Sequence, residues 1–176
     1  MSAKRKIRIS IILVLSLLMI NSMNLIAQNL DSYGDMKRPA NIGNSDFDGF
    51  KNSCFDIYYN SHKLDKNLKV IEGNLVKYAD DKDNIDFESL GKDIEALKKS
   101  KESAKELSTD LKALDDKSTS MVKNAKNLKP RTKSPKAVKN TNNSIKALND
   151  AKVTLKEVSE NQVTLLKTAQ ELLGDK

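Results

Sequence analysis

The chain has 176 residues, of which 31% are charged and 5% aromatic, with no tryptophan, one cysteine and one histidine. That length holds one domain plus a leader, and the composition suits long, thin helices whose core is a seam rather than a broad interior. The formal charge of +7 falls to +3 once Lys4, Arg5, Lys6 and Arg8 of the leader are set aside, leaving 27 basic against 24 acidic residues, so the basic balance is no argument for a nucleic-acid partner.

Residues 1–27 read as a cleavable signal peptide. Lys4 to Arg8 form a basic start, residues 9–20 are apolar apart from Ser10 and Ser16, and a more polar stretch ends in Leu25-Ile26-Ala27, which sets cleavage before Gln28. The alternative is an uncleaved anchor, but an apolar run of about 12 residues is short of the ~20 that a spanning helix needs. No cysteine follows the run, which argues against lipoprotein processing. The leader resembles those of Gram-negative bacteria such as the Bacteroidota, and that resemblance implies a periplasmic or secreted protein. Residues 28–45 are polar, carry Gly34, Pro39 and Gly43 and show no period, so they read as a flexible N-terminal arm. Tyr33, Met36 and Ile42 are the side chains that would hold it to the rest.

Three heptad patterns follow. In the first, Phe47, Phe50, Cys54, Ile57, Ser61, Leu64, Leu68, Ile71, Leu75 and Tyr78 are spaced alternately three and four apart. This predicts a helix over 46–79, with Ser45 or Asp46 as N-cap. An acidic turn, residues 80–86, leads to a second helix over 86–128. Its seam is Leu90, Leu97, Ala104, Leu111, Ser118 and Ala125, flanked by Ile94, Leu107, Leu114, Met121 and Leu128, with Asp86 as its cap. Pro130 ends this helix, and Ser134-Pro135 reads as an N-cap followed by the favoured first-turn proline. The third helix, 135–173, carries Val138, Thr141, Ile145, Leu148, Lys152 beside Ala151, Leu155, Val158, Gln162, Leu165, Ala169 and Leu172, and stops near Gly174. Both connections are short, so the expected fold is all-α: an elongated antiparallel three-helix bundle or coiled coil, up-down-up and left-handed, over 46–176. The alternative pairs only the last two helices and leaves the first loosely docked or used in a dimer. Polar seam positions Ser61, Ser118, Thr141 and Gln162 are expected to set register.

Signatures of chemistry are few. His62 has no second ligand cluster and reads as a partly exposed, solvated side chain. Cys54 and His62 lie eight residues apart on one helix, about 12 Å at 1.5 Å per residue, too far for a nucleophile pair. Cys54 on the seam reads as a small buried hydrophobe, with an intermolecular disulfide as the alternative. The stretch Asp80-Asp81-Lys82-Asp83-Asn84 lacks the glycine and closing glutamate of a calcium loop. Asn142-Asn143-Ser144 fits the glycosylation triplet, a common false positive. No phosphate-cradling or nucleophile-elbow motif occurs. The reading is therefore non-enzymatic, with no metal, no cofactor and no small-molecule substrate expected.

Two polar features point to partners. From Lys117 to Asn149 there are nine basic residues and no acidic one. Lys123, Lys126, Lys129, Arg131, Lys133, Lys136 and Lys139 make a candidate patch for an anionic surface, set against a solubility role and opposite the acidic turn. Phe55 and Tyr59 fall off the seam, where they either meet the arm or form an exposed contact patch. The expected function is an exported structural or protein-interaction module of the bacterial envelope, binding an unknown protein or itself. The alternative is a peripheral envelope or membrane-surface binder using residues 123–139. Nucleic acid is disfavoured, because no aromatics interleave with these lysines.

Overall fold

The computed structural model describes residues 33–174; the leader read at 1–27 lies outside them. Among the described residues all regular structure is helical, and three long helices pack against one another. They are α1 (Ser45–Asp80), α2 (Phe87–Lys126) and α3 (Ser134–Gly174). The 40 residues of α2 span about 60 Å at 1.5 Å per residue.

Each helix forms because its apolar residues keep the seven-residue seam, and the seam is what packs. Leu90 and Leu97 are wholly buried, and Ala104, Leu111, Ser118 and Ala125 are buried along the same line of α2. The flanking row is half-buried beyond Ile94. On α3, Ala151 takes the seam position and Lys152 stays exposed. Contacts between helices fix their directions. Asn74 meets Asp93, while Ile57 and Asn60 line a groove with Leu107 and Leu114, so α1 and α2 run in opposite order. Gln162 meets Ser100 and Lys152 meets Asp115, so α2 and α3 also oppose. His62 meets Asp150 while Leu68 lies by Leu165, so α1 and α3 run together.

The helix ends follow local chemistry, with two departures from expectation. The cap of α1 is Asn44, not Ser45 or Asp46; its Oδ1 accepts from the N–H groups of Asp46 and Phe47. Asp86 caps α2 as its spacing suggested, accepting from Glu88 and Ser89 N–H at 3.1 and 3.3 Å. The hydroxyl of Ser89 also donates to it at 2.6 Å. At the other end α2 stops at Lys126, four residues before Pro130. Ser134 is not an N-cap: its backbone is already helical at φ −58° and ψ −46°. Its hydroxyl turns back to donate to the carbonyls of Ala125 and Lys126 at 2.7 and 3.1 Å. It thus closes the last turn of α2, where carbonyls lack partners within their own helix.

The arm is held by the side chains its sequence suggested: residues 33–43 lie against α1 and α3, with Tyr33 and Met36 packed on the core and Ile42 buried. The arm begins at the end shared with the 127–133 connection, where Ile42 and Phe47 pack with Ala125 and Ala137. It then doubles back, with Met36 at Tyr58 and Tyr59 and Tyr33 beside Lys63 and Lys66. The arm therefore leaves the basic end and runs back along α1.

Truncating Leu97, which is fully buried between the helices, is expected to cost about 2–5 kcal/mol, the usual loss for a core leucine. Val163→Ala, at a position 63% exposed, should change stability by less than about 0.5 kcal/mol. Urea unfolding followed by circular dichroism measures both; equal effects would contradict a seam core.

Candidate interaction surfaces

The first surface is the groove between α1 and α3, which residues 33–43 occupy as a strap. The start of α1 is too wide for a narrow seam: Phe55, Tyr58 and Tyr59 cluster with ring centroids 5.2–6.2 Å apart. Phe55 and Tyr59, the candidate exposed contacts, are 1% and 0% exposed. They are not a free patch: both are buried, and the strap lies on Tyr59. The phenol of Tyr59 donates to Met36 O at 2.8 Å and accepts from Arg38 N–H at 3.1 Å. The phenol of Tyr58 accepts from Met36 N–H at 3.2 Å. A buried phenol needs such a partner, and here the strap's main chain supplies it.

Sequence reasoning missed Lys51. It is 2% exposed, because its ammonium reaches across to donate to Pro39 O at 2.7 Å and to Asn41 Oδ1. From α3, Asn140 Nδ2 donates to Ala40 O at 2.9 Å and Lys136 Nζ to Asn41 O at 3.2 Å. Arg38 pairs with Asp56 at 2.7 Å and lies over the Tyr59 ring at 5.5 Å. Gly34 sits at φ +131°, and a Cβ there would lie 2.6 Å from the Tyr58 ring, so only glycine passes.

Asp48 ties the strap to the helix. Its carboxylate accepts from the N–H groups of Ile42, Gly43 and Asn44 at 2.9–3.1 Å. Burial pushes its pKa up, but those three donors and the nearby Lys51 outweigh it and hold the carboxyl below its ordinary 3.8.

The second surface is the basic end. Lys123, Lys126, Lys129, Arg131, Lys133, Lys136 and Lys139 are all exposed. Two stand in the last turn of α2, three in the connection and two at the start of α3. Among the described residues none of the seven is in an ion pair within 4.0 Å. The lysines at the end of α2 suit its negative pole, but those at the start of α3 stand at a positive pole whose first turn holds no acidic residue. Asp46, in the first turn of α1 at the same end, is exposed.

The remaining candidates lie apart. His62 is half-buried, 2.8 Å from Asp150 and edge-on to Tyr58 at 4.6 Å, so it joins α1 to α3 instead of standing in solvent. Cys54 is a buried free thiol, and burial pushes its pKa up to about 12, which keeps it in the unreactive neutral form. Ser144 of the glycosylation triplet is buried, its hydroxyl donating to Asn140 O. Among the described residues no group of three or more His, Cys, Asp or Glu gathers as a metal site, and no helix is long and apolar enough to cross a membrane. An open groove of about 660 Å³ between α2 and α3 has Leu111 and Leu155 on its floor and Lys112, Asp115, Lys152 and Glu160 on its walls. This is more room than the narrow seam suggested, though it lies on the surface. Comparison of the chain with family models, curated proteins and solved structures finds no match.

The depressed pKa of Asp48 has a signed consequence. Its contribution to stability is complete above the unfolded value of about 3.8 and is lost as pH falls through the lower folded value. Asp48→Asn should lower stability at pH 6 and flatten the acid limb of the stability profile. Urea midpoints between pH 6 and pH 2 test this; an unchanged acid limb would rule out the carboxylate as the strap's tie.

Proposed function

We propose that this chain is an exported, non-enzymatic helical-bundle protein: a signal peptide over 1–27, then an up-down-up, left-handed bundle of coiled-coil type. It acts as a structural or protein-interaction module of the bacterial envelope. The observation that carries the reading is the seam. Buried residues recur at heptad spacing through all three helices, so the chain builds a rod whose faces and ends are its means of contact. Tight coverage of the aromatic cluster by the strap supports the same view, since it leaves the rod's ends and grooves as the available surfaces. N-terminal sequencing of the protein recovered from envelope fractions should read Gln28 onward; an intact Met1 on a membrane-embedded protein would overturn the export route.

A second reading is favoured by the basic end. Seven exposed basic side chains without ion-pair partners among the described residues, three of them around the positive pole of α3, form a surface that an anionic layer would complement. In this reading the protein rests on anionic headgroups or lipopolysaccharide through residues 123–139, at roughly 1 kcal/mol for each Lys or Arg brought to the surface. Liposomes containing anionic lipid should co-sediment the protein at low salt and release it at high salt. The double charge reversal Arg131→Glu with Lys133→Glu should weaken binding by at least about tenfold, given four charge units removed at that scale. Equal sedimentation with neutral lipid would sink this reading and leave the interaction-module reading in place.

A further inference from the structure

We propose that the strap is exchangeable between copies: residues 33–41 of one chain fill the α1–α3 groove of a second, and the reverse, in a reciprocal dimer whose basic ends face each other. This deepens the protein-interaction reading of the proposed function, taking the partner to be a second copy of the chain, and rests on it.

The groove grips main chain. Six contacts fall on the backbone from Met36 to Asn41: two from the Tyr59 phenol and one each from Tyr58, Lys51, Asn140 and Lys136. Such a row holds an extended segment whichever copy supplies it, as in other recognition of extended peptides. Two further contacts choose this segment over a foreign one. The Arg38 guanidinium meets Asp56 and lies on Tyr59, and Gly34 passes Tyr58 where any Cβ would collide. The strap of another copy is therefore the occupant that fits.

The hinge is also present. Gly43 has φ +71° with open space around it, the nearest atom to a built Cβ being Lys133 Nζ at 3.6 Å. Glycine holds that left-handed angle without strain, and swinging the strap there requires the three N–H bonds to Asp48 to release and Ile42 to leave Phe47, Ala125 and Ala137. Reciprocal exchange restores every strap contact in the dimer, so its cost is mainly the lost freedom of one chain, which concentration offsets. Opposing it at short range is charge. Lys133 Nζ lies beside the hinge glycine and Lys136 Nζ bonds Asn41 O next to it, so exchange brings two sets of lysines together, and salt or a polyvalent anion relieves the repulsion.

The test uses two chains expressed from residue 28 in a Cys54→Ala background. One carries Tyr33→Cys and the other Lys66→Cys, positions adjacent in the folded chain. They are mixed at high concentration and joined with a short bismaleimide. A covalent heterodimer is expected, rising with protein concentration. It should rise again between about 0.05 M and about 0.5 M salt, as the Debye length shrinks from about 14 Å to about 4 Å. Gly43→Ala, which strains the closed hinge, should raise the yield severalfold while helicity is unchanged. A chain carrying both cysteines reports the closed form by linking within itself. If that chain links and the mixture gives no heterodimer at any salt, the strap belongs permanently to its own chain and the proposal is overturned. A heterodimer that declines as salt rises would overturn the facing of the basic ends. Neither failure touches lipid sedimentation or N-terminal sequencing, so the wider reading stands or falls separately.

Discussion

Narrowness of the apolar stripe is the constraint on which this structure depends. Each helix offers one line of large or small apolar side chains among exposed Lys, Glu, Asp and Ser, and no single pair of helices can cover all three lines. Three helices close the lines on one another. Small residues at Ala104, Ala147, Ala151 and Ala169 let the backbones come near enough for a seam this thin to exclude water. Isolated helices of this polarity would be marginal in water, so packing of the seam supplies most of the order.

The aromatic start of α1 is where the seam principle fails, and the strap is the remedy. Phe55, Tyr58 and Tyr59 are buried there, and the strap's main chain lies on the two phenols. An uncovered cluster of that kind would be an adhesive patch. An extended segment fits the gap better than a fourth helix because its main chain meets the phenols and the Lys51 ammonium directly. Buried polar groups that would each cost roughly 1–3 kcal/mol if unpaired are thereby satisfied.

What could be read from the residues divides along the same line. Periodicity is a local property, so the helices and their buried rows are legible in the spacing of Leu90, Leu97 and their successors, as is the cap at Asp86. Ser134 was misread because a hydroxyl can serve either of two helix ends, and only the path of the 127–133 connection decides between them. That the arm docks was legible in Tyr33, Met36, Ile42 and the off-seam Phe55 and Tyr59, but its path was not. Its contacts join Met36 to Tyr59 and Ala40 to Asn140 through backbone atoms, which leave no pattern in side-chain identity. The aromatic signal was indirect: large side chains at Phe55 and Tyr59, off the seam, require a cover, and the polar arm with Gly34 and Gly43 was the nearest segment to provide it. Lys51 reads as an ordinary surface lysine until that cover is in place. The seven basic residues were legible as a cluster, and nothing among the described acidic residues comes within ion-pairing distance of them.

Consider finally the pair formed by Gln162 and Ser100, 2.7 Å apart with both side chains buried. Sliding α2 by one heptad would bring Leu107 opposite the amide, or else Asp93. The first leaves a buried amide without a partner, and the second drives a carboxylate into the seam. A slip of the apolar rungs leaves no polar group unpaired, though it would set Leu97 or Leu111 where Ala104 stands. This single polar contact therefore behaves as a detent: under shear along its long axis the rod locks in one alignment, where a purely oily interface would creep.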